Sequence, residues 1–342
     1  MKRISLGKTG IETSALGFGC ASLGSRVSAK DGLRAMAAAH DRGLAWFDLA
    51  PAYGRGVAEE IAAEFFRGRR DQVGLCTKVG LAPPKSTGGI KGMVTRRLIH
   101  VARQMVGTVP GLREKLRKSG MQTNQKQPLT PELLRESLEG SLRRLGTDYV
   151  DLYALHNATV EEIARDDILR ALEDILTSGK ARAVAVASGT DVAAACIARG
   201  APFGAAQFAL PAPDTPSPSA LFDAGRAAGM GTLAHSVMGV DGVLADISRR
   251  METNANLRGA VAALGGDPAS ALGRVLVARA LTLNPDGVVL VSMFSDRSLA
   301  ANVGTVEAMG DPALAAAVTA IEKLGPAGTA AAGAKVECPS RG

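Results

Sequence analysis

Short apolar runs recur along the chain, and between them apolar residues repeat at the spacing of helices. The runs are apolar on both faces and rich in Val, Leu, Phe and Ala, which is typical of parallel strands covered by helices. Strand followed by helix, repeated about eight times, predicts a closed parallel barrel or an open doubly wound sheet. The predicted strands span residues 14–18, 45–49, 73–79, 149–155, 183–187, 204–210, 231–237 and 287–294.

Two helices can be located from the residues at their ends. One begins at Thr130, an N-cap residue before a proline, and ends at Gly146. The other begins at Ser28, with Asp31 three residues further on, and ends at Gly43. Both fill the space between predicted strands, as an alternating fold requires.

The open sheet would be supported by a glycine-rich dinucleotide fingerprint. The chain starts such a motif, G-x-G-x-x-G, at Gly17 and again at Gly54. Neither has the third glycine, because Ser22 and Glu59 occupy those positions. A lone G-x-G is weak evidence, so the closed barrel is favoured.

Two segments interrupt the alternation. Residues 81–128 follow the third predicted strand and residues 239–262 follow the seventh. Loops after barrel strands build the active-site face, so both are expected to wall a substrate pocket. We expect the barrel to occupy residues 1–325 and the small-residue segment 326–342 to be a disordered tail.

The net charge of +7 is concentrated in one segment. Residues 85–126 contain ten Lys or Arg against one Glu, a local charge of +9, which leaves −2 for the remainder. The segment lacks interleaved aromatic residues and any nucleic-acid motif, so nucleic-acid binding is not expected. A solvated amphipathic lid is the favoured reading, and recognition of an acidic substrate or partner is the alternative.

Cysteine usage argues against a metal site and for a reducing compartment. Cys20, Cys76, Cys196 and Cys338 are scattered, without C-x-x-C or a histidine at zinc spacing. The chain has no apolar run of signal-peptide type near its start and none long enough to span a bilayer. The expectation is a cytoplasmic protein that binds neither metal nor membrane.

Four polar residues at or just beyond the ends of predicted strands are candidates for catalysis: Asp48, Tyr53, Lys78 and His156. Taken singly, they can be read as a loop carboxylate, a core aromatic, a snorkelling lysine and a core histidine. Strand ends converge at the mouth of a barrel, which favours a common site. A phenol is a weak acid, and an adjacent ammonium is expected to lower its pKa and make Tyr53 a general acid.

Five short motifs, in chain order, carry a family resemblance: Leu6 to Gly10, Leu16 to Cys20, Phe47 to Gly54, Thr77-Lys78 and Asp151 to His156. Together they resemble the aldo-keto reductase superfamily. The resemblance implies a single (β/α)8 TIM barrel with an N-terminal β-hairpin and long loops after strands 3 and 7. It also implies a metal-free oxidoreductase with a nicotinamide cofactor, which reduces an aldehyde, ketone or sugar-like carbonyl or oxidises the corresponding alcohol.

The resemblance also implies roles for residues. Tyr53 is the proton donor to the carbonyl oxygen, Lys78 and Asp48 tune it, and His156 orients the substrate. Ser188 and Gln207 match ligands of the nicotinamide carboxamide, although Gln207 can also be read as an amide at the edge of the core.

The other cofactor positions depart from the family. His235 stands where a stacking tyrosine is common, and Phe294 stands where Arg or Ser is usual. Arg297 remains as a cation for a 2′-phosphate, so NADPH is the expected cofactor and NADH is possible. The residues implied to hold the cofactor are Asp48, Ser188, Gln207, His235, Ser292, Ser295, Arg297, Ser298 and Asn302.

These departures also motivate an alternative of another class. A nucleotide-binding redox sensor or scaffold could keep the fold with little turnover. The intact set of Asp48, Tyr53, Lys78 and His156 favours an enzyme acting on a small carbonyl compound. The sequence names neither the substrate nor the oligomeric state.

Overall fold

A computed structural model of the chain describes residues 1–83, 124–210, 213, 218–238 and 243–324. Within these residues, eight parallel strands close into a barrel in which the last strand pairs with the first. The closed-barrel prediction is confirmed, and the open-sheet alternative is wrong. The barrel strands, first to eighth, are Leu16–Gly19, Trp46–Asp48, Gly74–Val79, Val150–His156, Ala181–Ala187, Phe203–Ala209, Gly231–His235 and Val288–Val291.

Every predicted strand overlaps an observed one. The largest difference is at the eighth strand, which was predicted to run to residue 294 and ends at Val291. The chain leaves the barrel there because Ser295 caps a helix, Asp296–Glu307, that packs outside the strands. Apolar composition continues past the strand end, and the cap decides where the strand stops.

An N-terminal hairpin of Arg3–Ser5 and Glu12–Ser14 closes the base of the barrel. Its turn lies against the start of the seventh strand, where Lys8 N–H donates to the Gly229 carbonyl at 2.8 Å. Leu6 is fully buried there. The base is therefore covered, and the opposite end of the barrel is left for a site.

Helices surround the barrel. The predicted caps are confirmed: Thr130 Oγ1 accepts from Leu133 N–H at 3.1 Å, and Ser28 Oγ accepts from Asp31 N–H at 3.1 Å. The helices of the described residues are Ala29–Asp41, Ala58–Phe66, Pro131–Leu145, Val160–Ala164, Asp166–Thr177, Thr190–Arg199, Ser219–Ala228, Val243–Thr253, Ala255–Ala262, Pro268–Leu283, Asp296–Glu307 and Pro312–Glu322.

The two long connections differ from simple loops. After the third strand, Leu81–Ala82 pairs with Gln125–Lys126 as an antiparallel ribbon. Most of the basic insertion, residues 84–123, and the predicted tail lie outside the described residues. The connection after the seventh strand is largely helical, because Val243–Thr253 and Ala255–Ala262 bury apolar faces in a second cluster outside the barrel.

Packing explains the two incomplete glycine motifs. A Cβ at Gly17 would lie 2.9 Å from the ring of Trp46, which fills the barrel interior. Gly54 has φ 60°, and a Cβ there would lie 2.2 Å from the carbonyl oxygen of Leu23. Close contacts therefore require both glycines, Gly17 in the barrel and Gly54 in the turn after the second strand. None of the helices in the described ranges is long and apolar enough to cross a membrane.

Candidate active site

The carboxyl ends of the barrel strands surround a pocket of about 600 Å³. Each parallel strand ends at this face, so residues distant in sequence meet there. Eight of the predicted site residues line it: Asp48, Tyr53, Lys78, His156, Ser188, Gln207, His235 and Ser292.

Lys78 is the centre of a hydrogen-bond network at the pocket. Its Nζ donates to Asp48 Oδ2 at 2.7 Å, to the Leu49 carbonyl at 2.8 Å and to the Tyr53 hydroxyl oxygen at 3.2 Å. An ammonium group has three donors, so these contacts use all of them. Lys78 is fully buried and does not reach solvent, which makes the carboxylate partner necessary.

The Tyr53 hydroxyl group keeps its proton available to the pocket. Its oxygen accepts from Lys78, so its own hydrogen points elsewhere. The contact with Asp48 Oδ2 is 3.5 Å long, which is weak for an O–H donor. The hydroxyl hydrogen is therefore available to an acceptor that enters the pocket.

The pKa of Tyr53 is raised to about 12, contrary to the lowering predicted from the sequence. Burial is the largest cause because it disfavours the phenolate, and the Lys78 ammonium lowers the pKa by less. Burial also lowers the pKa of Lys78, but Asp48 and Tyr53 raise it more, so its net pKa is raised. At neutral pH the pair is a protonated phenol beside a charged ammonium.

His156 ends the fourth strand with its ring edge-on to that of Tyr53. The ring centroids are 6.2 Å apart and the planes are nearly perpendicular. Burial, followed by the charge of Lys78 and the neighbouring His235, lowers the pKa of His156 to about 3. Burial also lowers the pKa of His235. Both rings are therefore neutral near pH 7, and each can donate one hydrogen bond.

The outer face of the third strand holds Lys78 in place. The preceding residue, Thr77, donates from Oγ1 to Glu59 Oε1 at 2.5 Å. Arg144 Nε donates to the other oxygen of Glu59 at 2.7 Å. These buried contacts join the strand to two surrounding helices and fix the position from which Lys78 projects inward.

Two buried oxygens on the fifth- and sixth-strand side of the pocket have no hydrogen-bond partner among the described residues. They are Ser188 Oγ and Gln207 Oε1. An unpaired buried polar atom is costly, so such atoms indicate where a ligand supplies the missing bond. A carboxamide offers an N–H₂ donor to Gln207 and a carbonyl acceptor to Ser188, so these residues fit a nicotinamide ring.

A protein-family model, described as the aldo/keto reductase family, matches residues 15–321. The chain belongs to the aldo/keto reductase family. Its fold is similar to the solved structure of aldo-keto reductase AKR11C1 from Bacillus halodurans in its holo form. That similarity has a TM-score of 0.70 at 22% identity and covers 96% of this chain and 97% of that chain.

Two curated relatives illustrate the sequence similarity. Aldo-keto reductase YhdN of Bacillus subtilis is 31% identical over 198 residues, which cover 55% of this chain and 47% of that protein. D-threo-aldose 1-dehydrogenase of a Pseudomonas species is 28% identical over 186 residues, or 52% of this chain and 51% of that protein. The chain spans about half the length of the curated relatives it matches.

The start of the helix after the eighth strand lies beyond the pocket. Ser295 Oγ accepts from Ser298 N–H at 3.1 Å, and Ser298 Oγ accepts from Ser295 N–H at 3.3 Å. Both hydroxyls therefore cap the helix. Asn302 is buried in the following turn. None of these three lines the pocket, although Ser292 does.

Arg297, the predicted cation for a 2′-phosphate, has partners within the protein. Its Nη2 donates to Ser270 Oγ at 2.7 Å and to Asp267 Oδ2 at 3.3 Å. The side chain is 76% exposed, so the ion pair with Asp267 is a surface pair. A phosphate would have to compete with this carboxylate for the guanidinium group. Phe294 packs edge-on against Phe18 with ring centroids 4.9 Å apart.

Sequence reasoning missed several residues of the pocket wall. Arg26 and Ser22 come from the loop after the first strand, and Asn157 and Ser236 directly follow two strands. Loops after strands form this face, which is the signal that could have identified them. Asn157 and Ser236 have φ values of 55° and 57°, which the sequence does not reveal. No group of three or more metal-binding side chains occurs in the part of the chain that the structure describes.

Proposed function

We propose that this chain is a nicotinamide-dependent oxidoreductase that reduces an aldehyde, ketone or sugar-like carbonyl, or oxidises the corresponding alcohol. One observation carries the proposal. Lys78 Nζ joins Asp48 at 2.7 Å to the Tyr53 hydroxyl at 3.2 Å on the wall of the pocket. The arrangement holds a protonated phenol with its hydrogen available to a ligand.

Tyr53 is the proposed general acid. Charge develops on the carbonyl oxygen as its carbon accepts a hydride, which the nicotinamide cofactor supplies when bound. Tyr53 donates its proton to that oxygen. Lys78 stabilises the resulting phenolate, and Asp48 keeps the ammonium charged and oriented. Neutral His156 donates a second hydrogen bond and orients the substrate.

The proposed cofactor is NADPH, with NADH as the alternative. Ser188 and Gln207 supply the hydrogen bonds for the carboxamide, and His235 supplies a flat ring beside it. Asp48, which lines the same pocket, and Ser292, Ser295, Ser298 and Asn302 are the remaining proposed contacts. The ion pair between Arg297 and Asp267 favours the NADH alternative, because it competes with a 2′-phosphate.

Reversible chemistry suits the pocket, because Tyr53 can accept the proton it donates. The similarity to D-threo-aldose 1-dehydrogenase adds sugar lactols to the proposed alcohol substrates. The second proposal is a redox-sensing or scaffold protein that binds nucleotide with little turnover. The unpartnered oxygens of Ser188 and Gln207 are compatible with both proposals, since both require nucleotide binding.

The test compares Tyr53→Phe with Tyr149→Phe. Tyr149 precedes the fourth strand at the base of the barrel. Each variant therefore removes one tyrosine hydroxyl, but from opposite ends of the barrel. We expect Tyr53→Phe to lower kcat for a panel of carbonyl substrates by roughly 10²- to 10⁴-fold. Fluorescence titration should give unchanged Kd values for NADPH and NADH. We expect wild-type kcat for Tyr149→Phe.

Three results are informative. Wild-type turnover by Tyr53→Phe would reject Tyr53 as the acid. Nucleotide binding by the wild type without turnover on any carbonyl or alcohol would favour the scaffold. Absence of nucleotide binding would reject both proposals.

A further inference from the structure

Arg26 is a charged residue of the pocket wall to which the proposed chemistry assigns no role. It lies in the loop between the first barrel strand and the helix Ala29–Asp41, and its side chain lines the pocket. Its Nη2 and Nε donate to Ser22 Oγ at 2.7 and 3.1 Å. Ser22 is 6% exposed, so the guanidinium group is held against a buried hydroxyl.

The loop that carries Arg26 is fixed by its own hydrogen bonds. The N–H groups of Arg26 and Val27 both donate to the Ser22 carbonyl at 3.1 Å, and Gly24 N–H donates to the Val27 carbonyl at 2.9 Å. Leu23 is fully buried and anchors the loop. The guanidinium group is therefore pre-organised, which reduces the entropy lost when it binds a ligand.

The charges of the other pocket groups leave Arg26 as an excess positive charge. Asp48 and Lys78 form an ion pair at 2.7 Å and cancel. His156 and His235 are neutral near pH 7 because burial lowers the pKa of each. Among the described residues that line the pocket, Asp48 is the only carboxylate. Arg26 has no carboxylate partner in the described ranges, so the pocket attracts an anion.

The loop lies on the Tyr53 side of the pocket. A Cβ on Gly54, the residue after Tyr53, would be 2.2 Å from the Leu23 carbonyl oxygen, so the loop and the Tyr53 turn are in direct contact. The residues that fit a carboxamide lie across the barrel, Ser188 just after the fifth strand and Gln207 on the sixth. Arg26 therefore lines the pocket from the side that carries Tyr53, the proposed proton donor.

We propose that Arg26 binds a carboxylate or phosphate group carried by the carbonyl substrate. The inference rests on the proposed function and narrows its substrate class to anionic carbonyl compounds, such as oxo acids and sugar phosphates. Arginine suits either group, because its planar fork matches two oxygens at once. The competing ligand is the diphosphate of the cofactor, because the eighth strand, with Ser292 just after it, pairs with the first strand.

Matched substrates test the proposal. 4-Carboxybenzaldehyde and its methyl ester share one aldehyde, and glyceraldehyde 3-phosphate and glyceraldehyde form a phosphate pair. We expect wild type to have a lower KM for the anionic member of at least one pair. Arg26→Gln should raise that KM about tenfold at low salt. The kcat values and the KM for the neutral member of the pair should stay nearly unchanged. The difference should shrink as NaCl is added, because Arg26 is exposed.

Two further variants control for charge and shape. Arg135→Gln removes one positive charge from an outer helix, where Arg135 pairs with Asp174. Arg135→Gln should keep the wild-type KM for the anionic substrates, because the proposed effect depends on the position of Arg26 and not on net charge. Arg26→Lys keeps the charge without the fork and should recover part of the lost affinity.

An equilibrium measurement separates this inference from the proposed function. Calorimetry gives Kd for 4-(hydroxymethyl)benzoate and its methyl ester, with and without NADPH, so no turnover is needed. Weaker binding of the carboxylate alone in Arg26→Gln would support the anion site even in a protein without turnover. Equal KM values within both substrate pairs in wild type would overturn the proposal. The proposal would also be overturned if Arg26→Gln weakened the anionic and neutral members of a pair equally. If the variant lost affinity only for NADPH and NADH, Arg26 would be assigned to the diphosphate of the cofactor instead.

Discussion

The two ends of the barrel each contain a buried carboxylate beside a cation, and they differ in how completely the carboxylate is hydrogen-bonded. At the base, Asp151 uses both oxygens. Its Oδ2 accepts from Arg70 at 2.7 Å and from the Leu75 N–H at 2.9 Å. Its Oδ1 accepts from Arg182 at 2.9 Å. This cluster joins three neighbouring strand regions, and both carboxylate oxygens accept hydrogen bonds.

At the mouth, the same kind of ion pair is left incomplete. Asp48 Oδ2 accepts from Lys78, whereas Asp48 Oδ1 has no partner among the described residues. Lys78 also donates to Tyr53, which lines the pocket. A satisfied buried network stabilises a fold, and an unsatisfied one beside a cavity is available to a ligand. The two clusters are similar in composition, but only the one at the mouth has a carboxylate oxygen without a partner among the described residues.

The largest expected effect is on turnover at the mouth. Lys78→Met should lower kcat by roughly 10²- to 10⁴-fold, because the developing phenolate loses its counter-charge. It should also destabilise the fold by about 3 kcal/mol, because Asp48 is left buried without a cation. Steady-state kinetics and urea unfolding measure the two effects.

The double variant Asp48→Asn with Lys78→Met sharpens this result. Removing both charges should restore most of the stability without restoring activity. Recovery of turnover in the double variant would show that the ion pair has only a structural role.

The next effect is on stability at the base. Asp151→Ala should lower the free energy of unfolding by about 3 kcal/mol, because two arginines and a backbone N–H lose their acceptor. The folded variant should keep the wild-type kcat, since the cluster lies a barrel length from Tyr53. A large loss of kcat in fully folded Asp151→Ala would break the comparison between the two ends.

A smaller effect concerns acid stability at the mouth. The folded pKa of His156, about 3, lies below its ordinary value of 6.5, so the unfolded state binds a proton first as pH falls. Stability from neutral His156 is present above pH 6.5 and is lost as pH falls toward 3. Between pH 7 and 4.5, the free energy of unfolding should fall by roughly 2 to 3 kcal/mol less in His156→Gln than in wild type. Urea midpoints measure this, with His40→Gln as control, and identical pH dependence would contradict it.

The smallest effect is at the rim, where Arg297 pairs with Asp267. Arg297→Ala should weaken NADPH about threefold and leave NADH unchanged, because an exposed ion pair is worth roughly 0.2 to 1 kcal/mol. Asp267→Asn keeps a good helix cap and should tighten NADPH by a similar factor. Nucleotide titrations decide the matter. Equal changes for NADPH and NADH would show that Arg297 does not contact a 2′-phosphate.

The sequence alone determined the alternating α/β class and the order of its elements. Runs apolar on both faces identified eight parallel strands, and caps such as Thr130 and Ser28 identified helix starts, because both signals depend on neighbouring residues. The same alternation brought Asp48, Lys78 and His156 to one face, since every parallel strand ends there. Local sequence patterns were sufficient to predict strands and helix starts, because neighbouring residues determine both.

Only the tertiary structure decided how these groups behave. The sequence indicated an ammonium near Tyr53 and suggested a lowered pKa, but burial has the larger effect and raises it. Asp267 lies 30 residues from Arg297 and still takes its guanidinium group. Arg26 lines the pocket because its loop packs against the turn that contains Tyr53. Desolvation and ion pairing depend on groups that folding brings together, and spacing along the chain does not record them.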